Sequence, residues 1–282
     1  MVITSTTYFA GLFVLGGCLL LIRQNWFLWL PGSGQQRVGP LDTNSMDYTG
    51  LLWLTLAMYF SLPSVWSYVI PLFVPLKWSA RVASMMTPLC LCLFLLCTFY
   101  RSIRQQDTLR SFPSGSLIPL GYLWFLLGFV IFIPCQLGWI YWLETFGIKS
   151  TPQATLVESS TTTDPVTLIL IAFGAVILAP IWEELFFRGL VFRLFLRRMG
   201  FWSAAFFSAL LFSIIHMQIN GVAGFWVLGI VFALAYRITG TIWVPITIHA
   251  IHNLNALIIS RYFSQPPPVP TPPPHDFISL FQ

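Results

Sequence analysis

Six polar side chains interrupt the apolar C-terminal third of this sequence, and their spacing suggests a place where water could be activated. Glu183, Glu184 and Arg188 lie in VILAPIWEELFFRGLVF, His216 in SALLFSIIHMQ, and His249 and Asn253 in a final apolar stretch. An ionisable group at the middle of a bilayer costs roughly 2.5–3.5 kcal/mol on insertion scales, so such groups mark function by default. Glu184 and Arg188 stand at i and i+4 with the acid N-terminal, the favoured order for a helical ion pair. They read as a structural, charge-neutralising pair. Glu183 points about 100° away and lacks a local partner; it needs a proton, a cation or a histidine from another helix, and suits a general base. His249 and Asn253 are also i and i+4 and share a helix face. An imidazole and an amide one turn apart can both donate to one oxygen, as an oxyanion site requires. Taken alone, they read equally as polar glue between helices. His216 alone reads as hydrogen-bonded to a neighbouring helix or as catalytic, and His252 is a bystander beside His249.

The elements that must carry these residues are membrane helices. Of 282 residues 57% are hydrophobic and 8% charged, against about 25% charged in soluble domains. The expected fold is all-α, a polytopic integral membrane protein of about eight transmembrane helices, because helices satisfy their own backbone in lipid. The segments fall near 3–22, 48–76, 83–100, 116–143, 165–198, 202–219, 222–237 and 242–260. The second, interrupted by Pro63 and Pro71, reads as one kinked helix or two short ones. The fifth exceeds the bilayer core, so it either projects from it or breaks near Pro180. The run from Tyr8 to Ile22 lacks a preceding basic region and reads as a first membrane helix, not a cleaved signal.

Three regions follow: 1–160 with about four helices, 165–260 with the polar cluster, and a Pro-rich tail over 261–282 in which QPPPVPTPPP predicts extended polyproline. The Ser/Thr-rich stretch 145–164 predicts a mobile connection. The net charge of +5 forms no basic stripe, so nucleic acid is not an expected partner; the bilayer and a membrane-associated peptide are. Cys18, Cys90, Cys92, Cys97 and Cys135 read as small buried hydrophobes. With eight helices, Arg23, Arg37, Arg101, Arg104, Arg110, Arg193, Arg197, Arg198 and Arg237 share one side, and Lys77, Arg81, Lys149 and Arg261 the other. Positive-inside bias then puts both termini outside the cytoplasm.

In order, E-E-x-x-x-R, F-x-x-x-H (Phe212, His216) and H-x-x-x-N resemble the motifs of the CPBP family, the CAAX-protease and bacteriocin-processing intramembrane enzymes also called ABI. The AP before the glutamates, the FRG after them and TGTIWVPITIH before His249 match too. The resemblance covers about residues 165–260. It implies an intramembrane endopeptidase acting on membrane-associated or lipid-modified peptides. In that likeness Glu183 activates water with His216, His249 and Asn253 stabilise the oxyanion, and Glu184 and Arg188 support them. Both a metalloprotease and a metal-free glutamate mechanism are proposed for the family; a metal-free site is favoured here. Glu183, His216 and His249 would be the ligands of a Zn2+. The competing readings are a non-proteolytic scaffold or immunity-type protein and a proton-coupled transporter. The expected location is a bacterial inner membrane.

Overall fold

The computed structural model describes residues 48–109, 116–149, 153–196 and 199–263. The segment expected over 3–22, Cys18 and the polyproline stretch lie outside the described residues. Among these residues all regular structure is helical, in eight main helices joined by turns and short 3-10 segments. They are α1 (Tyr48–Val69), α2 (Leu76–Leu109), α3 (Leu117–Thr145), α4 (Ala154–Thr161), α5 (Pro165–Leu196), α6 (Phe201–Ile215), α7 (Val222–Thr239) and α8 (Trp243–Phe263). Five stretches are long and apolar enough to cross a membrane: Gly50–Leu72, Leu76–Tyr100, Leu117–Thr145, Pro165–Leu196 and Ile219–Thr239. The protein is an integral membrane protein. Eight spans are not found among the described residues. α6 has only 15 residues, and α8 is a 21-residue helix that carries two histidines and two asparagines among its apolar residues.

The second segment is one helix despite Pro63, closed by a 3-10 turn over Ile70–Leu72. Prolines also lie inside α2 and α3, at Pro88 and Pro134. Membrane helices tolerate them because neighbouring groups satisfy the freed carbonyls. α5 does not break at Pro180. It absorbs the proline by widening into a π-helical turn just before it, Gly174–Leu178, and widens again over Phe187–Val191. α6 stops at Ile215, four residues short of the expected end, because Met217 takes a positive φ of 49° and turns the chain. α7 ends where Gly240, with φ 73°, adopts the left-handed conformation that favours glycine and donates its N–H to Tyr236 O.

The expected mobile connection over 145–164 contains α4, an eight-residue helix held by tertiary contacts that composition does not reveal. Arg261 at the end of α8 donates to the carbonyls of Ser159, Ser160 and Thr162. A guanidinium there satisfies carbonyls that the helix end leaves without a partner. Ser260 bonds Leu156 O, and Arg81 of α2 pairs with Glu158. Asp164 then caps α5, accepting from the Thr167 N–H and hydroxyl at 3.0 and 2.6 Å and from Trp78 Nε1 at 2.8 Å. These bonds, Thr167's hydroxyl first, hold its carboxyl down to about 2.

α6 and α7 form the tightest helix pair. A Cβ on Gly229 would stand 2.7 Å from Ala209 Cβ and 2.8 Å from Ala209 Cα, so the glycine permits the close approach. α3 lies against both α7 and α8, α1 against α2, and α2 against α5. The two halves separated in the sequence reading thus pack as neighbours. Of the described cysteines only Cys92 is buried, and Cys97 and Cys135 are exposed. Outward apolar side chains are at no disadvantage when the surroundings are lipid.

Candidate active site

Three helices bring one carboxylate and two imidazoles together. Glu183 Oε2, from α5, lies 3.8 Å from His216 Nε2 at the end of α6 and 3.8 Å from His249 Nε2 on α8. These separations are too long for direct hydrogen bonds. Glu183 Oε2 is buried and accepts none from the described residues. A polar gap of this width is one a water molecule bridges.

Each ring is held by its other nitrogen. His216 Nδ1 lies 2.7 Å from Phe212 O, one turn back on α6. A carbonyl can only accept, so Nδ1 carries the hydrogen and Nε2 faces Glu183. The ring stacks on Phe225. His249 Nδ1 lies 3.0 Å from Glu184 Oε1 and the ring stacks on Phe232. His216 caps the end of the 15-residue α6 and stands beside Glu183, although depth along straight helices places it nearer the outer face.

Glu184 and Arg188 form the expected i, i+4 pair, 3.1 Å apart and fully buried. Arg188 also donates to Gly229 O at 3.0 Å, and its guanidinium lies 4.8 and 4.9 Å from the Phe212 and Phe232 ring centres. The same phenyl rings pack against His216 and His249, so the cation is built into the walls of the site. The sequence reading did not place Glu184 against His249, because the contact joins residues 65 apart.

Asn253 donates to Ala175 O at 2.7 Å, and the π-helical turn explains why that carbonyl is available. In an α-helix Ala175 O would accept from Ala179 N–H, but that N–H reaches Gly174 O instead. The next residue, Pro180, has no N–H to offer. Asn253 takes the place of the missing donor, which fixes its amide with one N–H still uncommitted.

Glu183, His216, His249 and Asn253 all line one cavity of about 470 Å³, with Arg81, Gln153 and Thr155 at its other end. His252, read as a bystander, lines it too and packs edge-on against Phe132. Glu183, His216 and His249 are the donors a zinc ion would use, and both Nδ1 atoms are bonded as in a zinc-ligating histidine. Among the described residues, however, no three His, Cys, Asp or Glu side chains stand at metal-holding geometry.

Comparison with known proteins bears out the resemblance read from the motifs. Residues 165–255 match the family model described as type II CAAX prenyl endopeptidase Rce1-like. A relative from Bacillus subtilis (strain 168), named "Putative membrane peptidase YdiL", is 29% identical over 171 residues, covering 60% of this chain and 67% of its own. No solved structure matches the chain.

Proposed function

We propose that this protein is an intramembrane endopeptidase that hydrolyses peptide bonds of membrane-associated polypeptides with water activated by Glu183. The observation that carries the reading is a buried carboxylate oxygen flanked at 3.8 Å by two oriented imidazoles at the inner end of a cavity. The family matched over residues 165–255 is described as one of CAAX prenyl endopeptidases, which makes prenylated CAAX ends one candidate among membrane peptides. A bacterial inner membrane is the proposed location.

Water between Glu183 and His216 gives a proton to the carboxylate as its oxygen bonds to the scissile carbonyl carbon. The carbonyl π bond opens and its electron pair becomes an oxyanion. The uncommitted N–H of Asn253, and Nε2 of His249 when it carries a proton, donate to that oxygen. On collapse the C–N bond breaks. The proton held by Glu183 passes by way of His216 Nε2 to the leaving amine, and the carboxylate is restored. Glu184 and Arg188 touch no reacting atom in this scheme; they position His249 and hold α5 to α7.

The test is cleavage of prenylated and unmodified membrane peptides by purified wild type and Glu183→Gln in liposomes, with folding checked in both. Wild-type hydrolysis lost in the variant supports the reading. Hydrolysis that survives Glu183→Gln overturns it, and the absence of cleavage in both folded proteins favours a scaffold.

A further inference from the structure

The membrane face on which the cavity opens follows from which residues meet at each end of the bundle. At one end Trp78, near the start of α2, bonds Asp164 before α5. Arg81, also near the start of α2, pairs with Glu158 of α4, and Arg261 at the end of α8 bonds the same helix. At the opposite end Phe192, late in α5, packs on Phe201 at the start of α6. Arg193 there bonds Tyr236, and Arg237, at the end of α7, lies over the Phe201 ring.

The cavity spans from the catalytic centre to the first of these ends. Glu183 stands 18 residues into α5, about 27 Å from Pro165 at 1.5 Å per residue. The lining nearest that end is polar, Arg81, Gln153 and Thr155, and the Arg81 side chain is 24% exposed there, which marks this end as the mouth; Met85, Leu170 and Leu257 line the apolar wall between. α4 lies across that mouth and belongs to the same end.

Basic residues divide unequally between the ends. The mouth end carries Lys77, Arg81, Lys149 and Arg261. The far end carries Arg101, Arg104, Arg193 and Arg237 on the helices. The links that join α2 to α3 and α5 to α6 add Arg110, Arg197 and Arg198 by their place in the chain. Lys and Arg near span ends favour the cytoplasmic side.

We propose that the cavity opens on the non-cytoplasmic face, and that the site receives polypeptide presented from that side: exported chains or outward-facing juxtamembrane segments with apolar residues next to the scissile bond. That these polypeptides are substrates rests on the peptidase reading; the side on which the cavity opens does not.

Single cysteines placed in the full-length protein test it, with a membrane-impermeant maleimide applied to intact spheroplasts and to inside-out vesicles. Labelling is read at each introduced residue by mass spectrometry, so the native cysteines stay. Ala154→Cys and Thr155→Cys report the mouth by two independent variants. Gly200→Cys reports the far end, where an added Cβ meets nothing within 4 Å. Labelling at 154 and 155 in spheroplasts, and at 200 only in inside-out vesicles, is expected. The reverse pattern, or labelling of both ends from one side, overturns the proposal. A lack of peptide hydrolysis alongside the expected labelling counts against the peptidase reading alone.

Discussion

Glu184 Oε1 meets His249 Nδ1 at 3.0 Å and Arg188 Nη1 at 3.1 Å, so a single carboxylate oxygen holds both a site histidine and the buried cation of the helix bundle. Glu184→Ala leaves Arg188 buried without its charge partner, a change that typically costs about 3–5 kcal/mol. The milder Glu184→Gln keeps the shape but offers an amide where His249 donates. We expect it to lower kcat by roughly 10–100-fold, as loss of a group that orients another does, with KM little changed. Thermal unfolding in detergent and steady-state cleavage separate the two effects.

Glu183→Gln acts in the opposite sense on stability. Glu183 makes no direct hydrogen bond with the described residues, and burying a carboxylate costs more than burying an amide, so the amide is expected to leave the melting temperature unchanged or raise it while abolishing hydrolysis. A fall in melting temperature comparable to that of Glu184→Ala would make Glu183 a structural residue.

Two glycine substitutions should diverge. In Gly229→Ala the new methyl meets Ala209 backbone at 2.8 Å. α6 and α7 must separate, at a cost of about 1–3 kcal/mol by analogy with overpacked cores, and His216 and Arg188 move with them. Gly138→Ala in α3 meets nothing within 4 Å and should stabilise by about 0.5–1 kcal/mol through helix propensity. Unfolding curves of both variants in one detergent make the comparison.

Asp164 predicts an acid-sensitive joint. Its carboxyl falls from an ordinary 3.8 to about 2 in the folded protein. The stabilisation is therefore fully present above about pH 4 and disappears as pH falls through about 2. Asp164→Asn should remove that part of the pH dependence, read as melting temperature between pH 5 and 2 in wild type and variant.

Metal dependence is decided directly. We expect hydrolysis to survive prolonged dialysis against a zinc chelator, with substoichiometric zinc by elemental analysis. Loss of activity on chelation, restored by zinc and not by magnesium, would make Glu183, His216 and His249 ligands.

Much of the site was legible because its parts are local. The spacing of Glu184 and Arg188, and of His249 and Asn253, follows from 3.6 residues per turn. Glu183, with no local partner, needs a proton, a cation or a histidine from another helix, and two histidines lie beside it. What composition could not reveal depends on distant residues. α4 was hidden in a Ser/Thr-rich stretch because its stability comes from Arg81, Ser260 and Arg261. The bond between Asn253 and Ala175 depends on a change in helix hydrogen bonding whose only local signal is Pro180. His252 is incidental on a single helix, and its place in the cavity wall follows only from the arrangement of α8 with α2 and α5 around the cavity.

The brevity of α6 reaches beyond the protein. Fifteen residues rise about 22 Å, less than the ~30 Å hydrocarbon thickness of a bilayer. The turn that follows leaves irregular backbone at membrane depth, and protein groups cover it: Trp139 donates to Ile219 O, Gln136 to Asn220 O and Ser213 to Val222 O. With so short a helix, lipid beside this tip is expected to thin or to yield to solvent next to His216. Hydrolysis should then respond to acyl-chain length, faster in thin bilayers than in thick ones, with the lipid setting how easily water reaches Glu183.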